Sequence, residues 1–295
     1  MVTLFNDVHC VRPFYDRAKA VLDGLPELGA WQIVFVNDAS TDGSLEEVRR
    51  LHDQDARVKF ITMARTFGYH SVVVAGLSLV ESDLYAVIDV DAEDPPELLA
   101  EFYARIRGGA QVAYGIRSNR DEPMLVTVMR RWFYRINRVI ADSEVVMWMA
   151  EFSMMTRQVR NAVLVPRTTF PFIRSELGYV GFKREGVPYR RAKRLYGQSH
   201  LNLMRMTQFA VGGFLASSTF LLRWVLYLSV ALAVLFPALS WWEGWSLYRA
   251  AEWAIIFLLY YALFTIPIIS LYLARVYKNG VARPVYVVDE TLTQL

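Results

Sequence analysis

The stretch VIDVDAEDPPELL, Val87–Leu99, joins an apolar run to a group of acidic side chains and then to a helical pattern. The apolar run extends over Leu84–Val90, and its short, uninterrupted character is typical of a strand buried on both faces. A helix is predicted to follow over Pro96–Arg107, since proline is favoured in the first turn of a helix. A strand that passes through a polar turn into a helix is the repeating unit of an α/β fold with a parallel sheet.

The same alternation of strands and helices fills the first 115 residues of the chain. Four more strands are predicted, over Val2–Phe5, Ile33–Asn37, Val58–Thr62 and Gln111–Gly115. Helical patterns occupy the gaps between them, over Arg12–Leu22, Ser44–His52 and His70–Val80. This pattern predicts a Rossmann-like, mostly parallel sheet that is covered by helices on both faces.

The composition of the chain excludes several other classes of protein. Of its 295 residues, 54% are hydrophobic and 21% are charged, whereas an ordinary soluble domain has about 45–50% and about 25%. The single cysteine, Cys10, excludes an intrachain disulfide and any zinc site built from several cysteines. We therefore expect a soluble α/β domain joined to a membrane part.

The apolar excess is concentrated near the C-terminus, in two long runs. Trp224–Trp242 and Trp253–Ala274 contain 19 and 22 residues without a charged side chain. A helix needs about 20 apolar residues to span a bilayer, so the runs predict a two-helix transmembrane hairpin over 221–275. A buried hairpin of a soluble protein is the alternative. Basic residues flank the pair and are scarce between its helices, which predicts that both termini lie in the cytoplasm.

Two segments before the hairpin are predicted to lie along the membrane surface. Residues 123–141 mix four arginines with aromatic residues, as an interfacial basic helix does, although a solvated surface helix is the alternative. Residues 201–220 are predicted as a juxtamembrane amphipathic helix. The predicted organisation is thus a cytoplasmic domain over 1–200, these interfacial helices, the hairpin and a cytoplasmic tail over 276–295.

The net charge of +3 conceals opposite charges in two parts of the N-terminal region. Residues 1–100 contain 8 Lys and Arg against 17 Asp and Glu, and residues 120–200 contain 15 against 7. An acidic part followed by a basic part suits a cation site beside an anion site. Uneven charge on a solvated surface would give the same totals.

Carboxylates follow the strand of the opening segment. Asp89, Asp91 and Glu93 alternate along the chain, so in an extended segment their side chains project to one side. Carboxylates that converge repel one another unless a cation lies among them, and hard oxygen ligands favour Mg²⁺ or Mn²⁺. The alternative is an acidic turn in which Asp94 caps the following helix.

The ordered series of motifs resembles a known family. VNDASTDGS, Val36–Ser44, and IDVDAEDPPELL, Ile88–Leu99, are similar to the VDDGSTDGS and DADLQDPPEL segments of family 2 glycosyltransferases. Three further segments resemble motifs of the polyisoprenyl-phosphate glycosyltransferases within it. These segments are RTFGYHSVVVAGL (Arg65–Leu77), YGIRSNR (Tyr114–Arg120) and RRAKRLYGQSHLNL (Arg190–Leu203). With the paired C-terminal runs, the resemblance covers essentially the whole chain.

The resemblance implies a GT-A fold and a membrane-bound enzyme. It implies an inverting transfer of a sugar from a UDP- or GDP-linked donor to undecaprenyl or dolichyl phosphate, with Mg²⁺ or Mn²⁺ as cofactor. It further implies an integral protein of a bacterial inner membrane and a homo-oligomer such as a tetramer, with no nucleic-acid partner.

The same motifs imply roles for individual residues. The implied metal ligands are Asp89, Asp91 and Glu93. The implied catalytic residues are Asp91, Glu151 and Arg117. The implied contacts with the nucleotide sugar come from Phe5, Asp7, Asp38, Asp89 and Arg65. The implied contacts with phosphate or acceptor come from Arg117, Arg120, Arg131, Arg191, Arg194 and Ser199.

The chain departs from the family pattern at several of these motifs. Asn37 and Thr66 replace an Asp and an Asn, and Glu151 stands where the family usually has an Asp. A change of about one ångström in the position of such a group can alter a rate by about 100-fold. Three alternatives therefore stay open: Glu151 as a structural carboxylate paired with an arginine, a catalytically silent scaffold, and a processive polysaccharide synthase. Processive synthases usually carry a QxxRW motif, and this sequence does not contain one.

Overall fold

The N-terminal part of the chain folds around one seven-stranded sheet in the computed structural model, which describes residues 1–117, 149–166, 168–169, 171–192 and 218–295. The strands are β1 (Val2–Leu4), β2 (Ile33–Asn37), β3 (Val58–Thr62), β4 (Leu84–Asp89), β5 (Val112–Arg117), β6 (Met149–Thr156) and β7 (Arg184–Tyr189). Their order across the sheet is β3-β2-β1-β4-β6-β5-β7. Among these strands, β6 alone runs antiparallel to the others, so the predicted mostly parallel sheet is confirmed.

Helices cover both faces of this sheet. They are α1 (Val8–Asp23), α2 (Ser44–Gln54), α3 (Tyr69–Leu79), α4 (Leu98–Arg107), α5 (Arg157–Val163) and α6 (Ile173–Tyr179). Helices α1, α2 and α4 bury their apolar side chains on one face, and α3, α5 and α6 bury theirs on the other. Burial on both faces explains why the strands are continuously apolar in the sequence.

The predicted elements agree closely with the structure, and the largest shift is at α1. This helix begins four residues before its predicted start, because the backbone N–H of Val8 donates to the Asp42 carboxylate of a neighbouring loop at 3.0 Å. The alternative in which Asp94 caps α4 is wrong. Helix α4 begins at Leu98 after a cap at Glu97, and Asp94 binds other side chains.

Two further helices follow, α7 (Phe220–Trp242) and α8 (Leu247–Val281), and both are long and apolar enough to cross a membrane. Their most apolar windows have mean hydropathies of 2.0 and 2.3, and 0% and 6% of those windows is buried inside the protein. Apolar surface of this extent is typical of contact with a membrane or another protein, and the described part of the chain does not bury it. The predicted pair of apolar helices is therefore present, and a buried soluble hairpin does not fit it.

Helix α8 is connected to the sheet domain at two places. The side-chain oxygen of Asn279, near the end of α8, accepts hydrogen bonds from the backbone N–H and the hydroxyl of Thr169, at 3.0 and 2.7 Å. After α8, the chain returns to the sheet edge and forms antiparallel bridges from Val288 to Met63 and from Gln294 to Phe60. The end of α8 and the tail that follows it therefore both contact the sheet domain.

Several predictions lie outside the described residues. They are the basic helix over 123–141, almost all of the amphipathic helix over 201–220, and the site candidates Arg120, Arg131, Arg194 and Ser199.

Candidate active site

The sheet brings most of the predicted site residues to one edge. The carboxyl ends of β1, β2, β4, β5 and β7 meet there, which is where open α/β sheets bind their ligands. Because β6 runs the opposite way, its first residues lie at the same edge. The register that pairs Val87 of β4 with Ser153 of β6 brings Glu151 to the level of Asp89. Two carboxylates distant in sequence thereby become neighbours.

Asp89, at the end of β4, is a predicted metal ligand whose pKa is shifted by its surroundings. Its carboxylate accepts a hydrogen bond from the Thr3 hydroxyl at 2.6 Å. Burial raises the pKa of Asp89 to about 7, and the negative charges of Asp91, Asp94 and Glu151 act in the same direction. The surroundings of Asp89 therefore disfavour its charged form, which a bound cation would stabilise.

The chain turns sharply after Asp89, and this separates Glu93 from the other two carboxylates. Ala92 has a φ of 56°, so the extended conformation on which the predicted alternation depends ends with β4. The Glu93 carboxylate pairs with Arg191 instead. Within the described residues, no group of three or more His, Cys, Asp or Glu side chains is placed to hold a metal ion. The expected three-carboxylate cluster is therefore not formed.

The remaining pair, Asp89 and Asp91, fits a metal that is shared with a substrate. Mg²⁺ is usually held by one or two carboxylates together with substrate phosphates, and it keeps several waters. Asp91 is buried and accepts a hydrogen bond from the backbone N–H of Glu93 at 3.1 Å, which fixes its orientation. The metal assignment to these two residues stays a prediction.

A buried network joins the ends of β5 and β7 to the acidic turn. Asp94 is 1% exposed and accepts hydrogen bonds from the Tyr189 hydroxyl and, at 3.2 Å, from Arg117. Arg117 also donates to the Tyr189 oxygen at 3.1 Å, and Nε of Arg191 lies 3.5 Å from the Asp94 carboxylate. Two of the predicted phosphate-binding arginines are thus held together beside Asp94. Tyr189 does not belong to any of the motifs that the sequence presents, so its part in this network could not be predicted.

Glu151, at the start of β6, forms an ion pair with Arg174. The Nε–H of Arg174 donates to the Glu151 carboxylate at 3.0 Å, and a second guanidinium N–H contacts the same oxygen. Arg174 lies in the first turn of α6 and was not singled out from the sequence. The pair corresponds to the alternative in which Glu151 is a carboxylate bound to an arginine, and the catalytic role of Glu151 stays a prediction.

The loops after β1, β2 and β3 form the part of the edge predicted to bind the nucleotide. The Asp38 carboxylate accepts hydrogen bonds from the backbone N–H groups of Phe67 and Gly68, at 2.7 and 2.9 Å. The Arg65 guanidinium stacks on the Phe67 ring at 3.9 Å. Two motifs that are separate in the sequence are therefore in direct contact.

The loop after β1 joins this group through its backbone. The N–H of Asp7 donates to the Ser44 hydroxyl at 3.2 Å, and the N–H of Asn6 donates to the Ser40 hydroxyl at 3.0 Å. Phe5 is 42% exposed at the mouth of this region, which leaves its ring accessible to a ligand. The binding roles of Phe5, Asp7, Asp38 and Arg65 stay predictions.

Comparisons with known proteins agree with this fold. Crystal structures of mannosyl-3-phosphoglycerate synthase from Rubrobacter xylanophilus and of glucosyl-3-phosphoglycerate synthase from Mycobacterium tuberculosis each superpose with a TM-score of 0.50 at 13% identity. Each covers 72% of this chain, and this chain covers 69% and 76% of the respective structures. At this identity the likeness concerns the fold alone, and it supports the predicted GT-A fold.

Sequence relatives extend over nearly the whole chain. An uncharacterized glycosyltransferase of Bacillus subtilis strain 168 is 29% identical over 306 residues, which cover 99% of this chain and 93% of the relative. The bactoprenol glucosyl transferase of Shigella phage SfV is 27% identical over 303 residues, which cover 98% and 96%. The family described as glycosyl transferase family 2 matches residues 1–166. Because this match includes more than half of the 295 residues, the chain belongs to glycosyl transferase family 2 and is a glycosyltransferase.

Proposed function

We propose that the protein transfers a sugar from a nucleotide-sugar donor to the phosphate of a polyprenyl lipid at a membrane surface. The observation that carries this proposal is the hydrogen-bonded contact between helix α8 and the segment that leads into α6. Thr169, which bonds to Asn279 of α8, lies five residues before Arg174, the partner of Glu151. An active edge attached to the end of a long apolar helix suits an acceptor whose head group remains at a membrane.

On the donor side, the loops after β1, β2 and β3 bind the nucleotide, and Asp89 and Asp91 lie where its diphosphate would be. A divalent cation held by these two aspartates and the diphosphate would offset the negative charge of the leaving group. The raised pKa of Asp89 agrees with this assignment, because burial and nearby carboxylates disfavour its charged form, which a bound cation would stabilise. UDP-glucose is the first donor to test, since a relative over 98% of the chain is named a glucosyl transferase.

On the acceptor side, the chemistry needs control of charge more than a strong base. A phosphate monoester has a second pKa of about 6 and is mostly dianionic at neutral pH. Its oxygen forms the new bond to the anomeric carbon while the bond to the nucleoside diphosphate breaks, and the electron pair leaves with the diphosphate. This single displacement inverts the anomeric centre. Arg117 and Arg191 would reduce the repulsion between the two anionic substrates.

The membrane arrangement is part of the same proposal. Helices α7 and α8 span the bacterial inner membrane as the hairpin over 221–275, with the sheet domain over 1–200 and both termini in the cytoplasm. The segments over 123–141 and 201–220 lie against the inner leaflet, and the tail over 276–295 returns to the domain. Copies of the chain associate through their spans into a homo-oligomer.

The test is a donor screen with the full-length protein in detergent. Undecaprenyl phosphate, Mg²⁺ or Mn²⁺ and a panel of UDP- and GDP-sugars are combined, and lipid-linked sugar is detected by mass spectrometry. We expect product from the wild type and a loss of at least about 100-fold in Asp91→Asn, with Asp53→Asn, an exposed aspartate of α2, as the matched control. Absence of both product and nucleotide binding would contradict the proposed transfer and favour the silent scaffold.

A further inference from the structure

A buried hydroxyl group at the active edge has no role in the site described so far. Tyr69 is the first residue of α3, and its phenol oxygen is buried without a hydrogen-bond partner among the described residues. Buried hydroxyls almost always have a partner, because an unpaired one destabilises the folded protein. The family motif that Tyr69 lies in, RNFGxxAAxxAGL, leaves this position open. The partner of this hydroxyl therefore has to be sought outside the described residues.

The two carboxylates of the site lie on the same face of the sheet as Tyr69. Tyr69 packs against the core cluster that contains Tyr85 and Val87 of β4. Side chains alternate along a strand, so Asp89 projects to the face of Tyr85 and Val87. On β6, Met149 and Met155 belong to the same cluster, which places Glu151 on that face as well.

The electrostatics agree with this placement. Burial raises the pKa of the Tyr69 phenol well above its usual value, and the negative charges of Asp89 and Glu151 raise it further, while Arg174 opposes them. The phenol thus keeps its proton at neutral pH and has a hydrogen to donate. It lies close enough to Asp89, which is predicted to face the diphosphate, and to Glu151, which is predicted to act in transfer, for the charge of each to shift its pKa.

The charge around Tyr69 identifies the chemistry of its partner. The cation proposed at Asp89 and Asp91 would take the diphosphate oxygens as ligands, whereas a sugar hydroxyl can donate to a carboxylate such as Glu151 and accept from a phenol. In a nucleotide sugar, the group attached to the diphosphate is the sugar itself. We propose that the Tyr69 hydroxyl donates a hydrogen bond to a hydroxyl oxygen of the donor sugar and so contributes to sugar specificity. This inference rests on the proposed function.

The experiment compares Tyr69→Phe with wild type in the full-length protein in detergent. Calorimetry gives the Kd of UDP-glucose and UDP, with GDP-mannose and GDP measured in parallel. Of these two pairs, the one that wild type binds is then compared. We expect the Kd of its nucleotide sugar to rise about 10-fold in the variant and the Kd of its free nucleotide to change by no more than about 2-fold. The Tm should stay unchanged or rise, because the variant removes an unpaired buried hydroxyl.

Tyr85→Phe is the matched control in the same core cluster. The Tyr85 hydroxyl accepts from the backbone N–H of Ser82 at 2.9 Å and donates to the Val80 carbonyl at 3.2 Å. Its removal should lower the Tm and leave the Kd of the nucleotide sugar unchanged. We therefore expect Tyr69→Phe to weaken binding of the nucleotide sugar without lowering the Tm, and Tyr85→Phe to lower the Tm without weakening binding.

Three results would overturn the assignment. Equal weakening of nucleotide and nucleotide sugar in Tyr69→Phe would place the phenol on the diphosphate. Unchanged binding of both would leave it no contact with the donor. A fall in Tm like that of Tyr85→Phe would show a partner within the protein. Wild type that binds none of the four ligands would instead contradict the proposed function itself.

Discussion

The two halves of the sheet hold their buried aspartates in different ways. In the donor half, β1–β4 with their helices, Asp38 is 5% exposed and its carboxylate is bound by backbone N–H groups of Phe67 and Gly68. Asp94, in the turn between β4 and α4, is bound instead by the side chains of Arg117 and Tyr189, which belong to the acceptor half, β5–β7. Backbone donors are fixed by the path of the chain, whereas side-chain donors can turn towards another anion. The donor half is thus built to hold a loop shape, and the acceptor half to hold movable cations.

The largest expected effect comes from removing the main cation of the acceptor half. Among the described residues, Arg117→Met leaves Arg191 as the cation near the buried Asp94 carboxylate, and the loss of one partner of a buried ion pair costs about 3 kcal/mol or more. For a domain of this size we expect the Tm to fall by about 10 °C and transfer to be lost. Intrinsic tryptophan fluorescence of the full-length protein during heating measures the first effect.

Two variants check that charge is the cause. Arg105→Met breaks an exposed ion-pair group on α4, which should change the Tm by no more than about 2 °C. The double variant Arg117→Met with Asp94→Asn removes both charges and should recover most of the lost stability without recovering activity. A double variant as unstable as Arg117→Met would show that packing, and not charge, explains the loss.

The next largest effect separates the two interpretations of Glu151. If the carboxylate acts in transfer, Glu151→Gln should lower kcat by about 100-fold. The Tm should change little, because the amide oxygen can still accept from Arg174. Steady-state kinetics with saturating donor measure kcat, and Glu185→Gln at a more exposed ion pair is the control. An unchanged kcat would establish Glu151 as a structural carboxylate.

The pH dependence of stability tests the excess negative charge at the donor side. Asp89 has a pKa of about 7 in the folded protein against a usual value of 3.8, so the folded state binds the proton more tightly. The stabilisation is present at low pH and is lost as the pH rises from about 4 to about 7. In EDTA, the Tm should therefore fall between pH 5 and pH 7.5, and Asp89→Asn should flatten this slope. An unchanged slope in the variant would assign the pH dependence to other groups.

The donor half is also the half that the sequence predicts well. Strands β2 and β3 have the predicted bounds, and each is followed closely by the helix that covers it. Local units of this kind carry their periodicity in a short stretch of sequence. In contrast, β6 contains few β-branched residues and inserts between strands that precede it in the chain. No local pattern indicates such an insertion.

The site shows the same division. Asp38 and Asp91 follow predicted strands and Asp89 lies near the end of one, so the edge that they share could be inferred from strand direction alone. Tyr189 contacts Asp94 across 95 residues, a distance in sequence over which no spacing rule applies. The prediction that Glu93 projects to the same side as Asp89 and Asp91 failed because the positive φ of Ala92 is not encoded by its residue type. Charge pairs formed by tertiary packing, and single strained residues, are what the sequence did not reveal.

The smallest expected effect concerns how each half is tied to the membrane helix. The donor half is bound to the tail after α8 by backbone bonds on β3, whereas the acceptor half is bound by the side chain of Asn279. Thr169→Val removes the 2.7 Å hydroxyl bond to Asn279 and keeps the backbone one, which should cost about 1 kcal/mol. Because the contact lies on the acceptor half, kcat/KM for undecaprenyl phosphate should fall about 3-fold while the KM for the donor stays unchanged. Thr291→Val, at an exposed threonine of the tail whose hydroxyl donates to Asp289 at 2.6 Å, is the control and should change neither constant. Equal effects of Thr169→Val on both substrates would mean that the contact supports the whole domain, and that the two halves are not tied to the membrane for separate purposes.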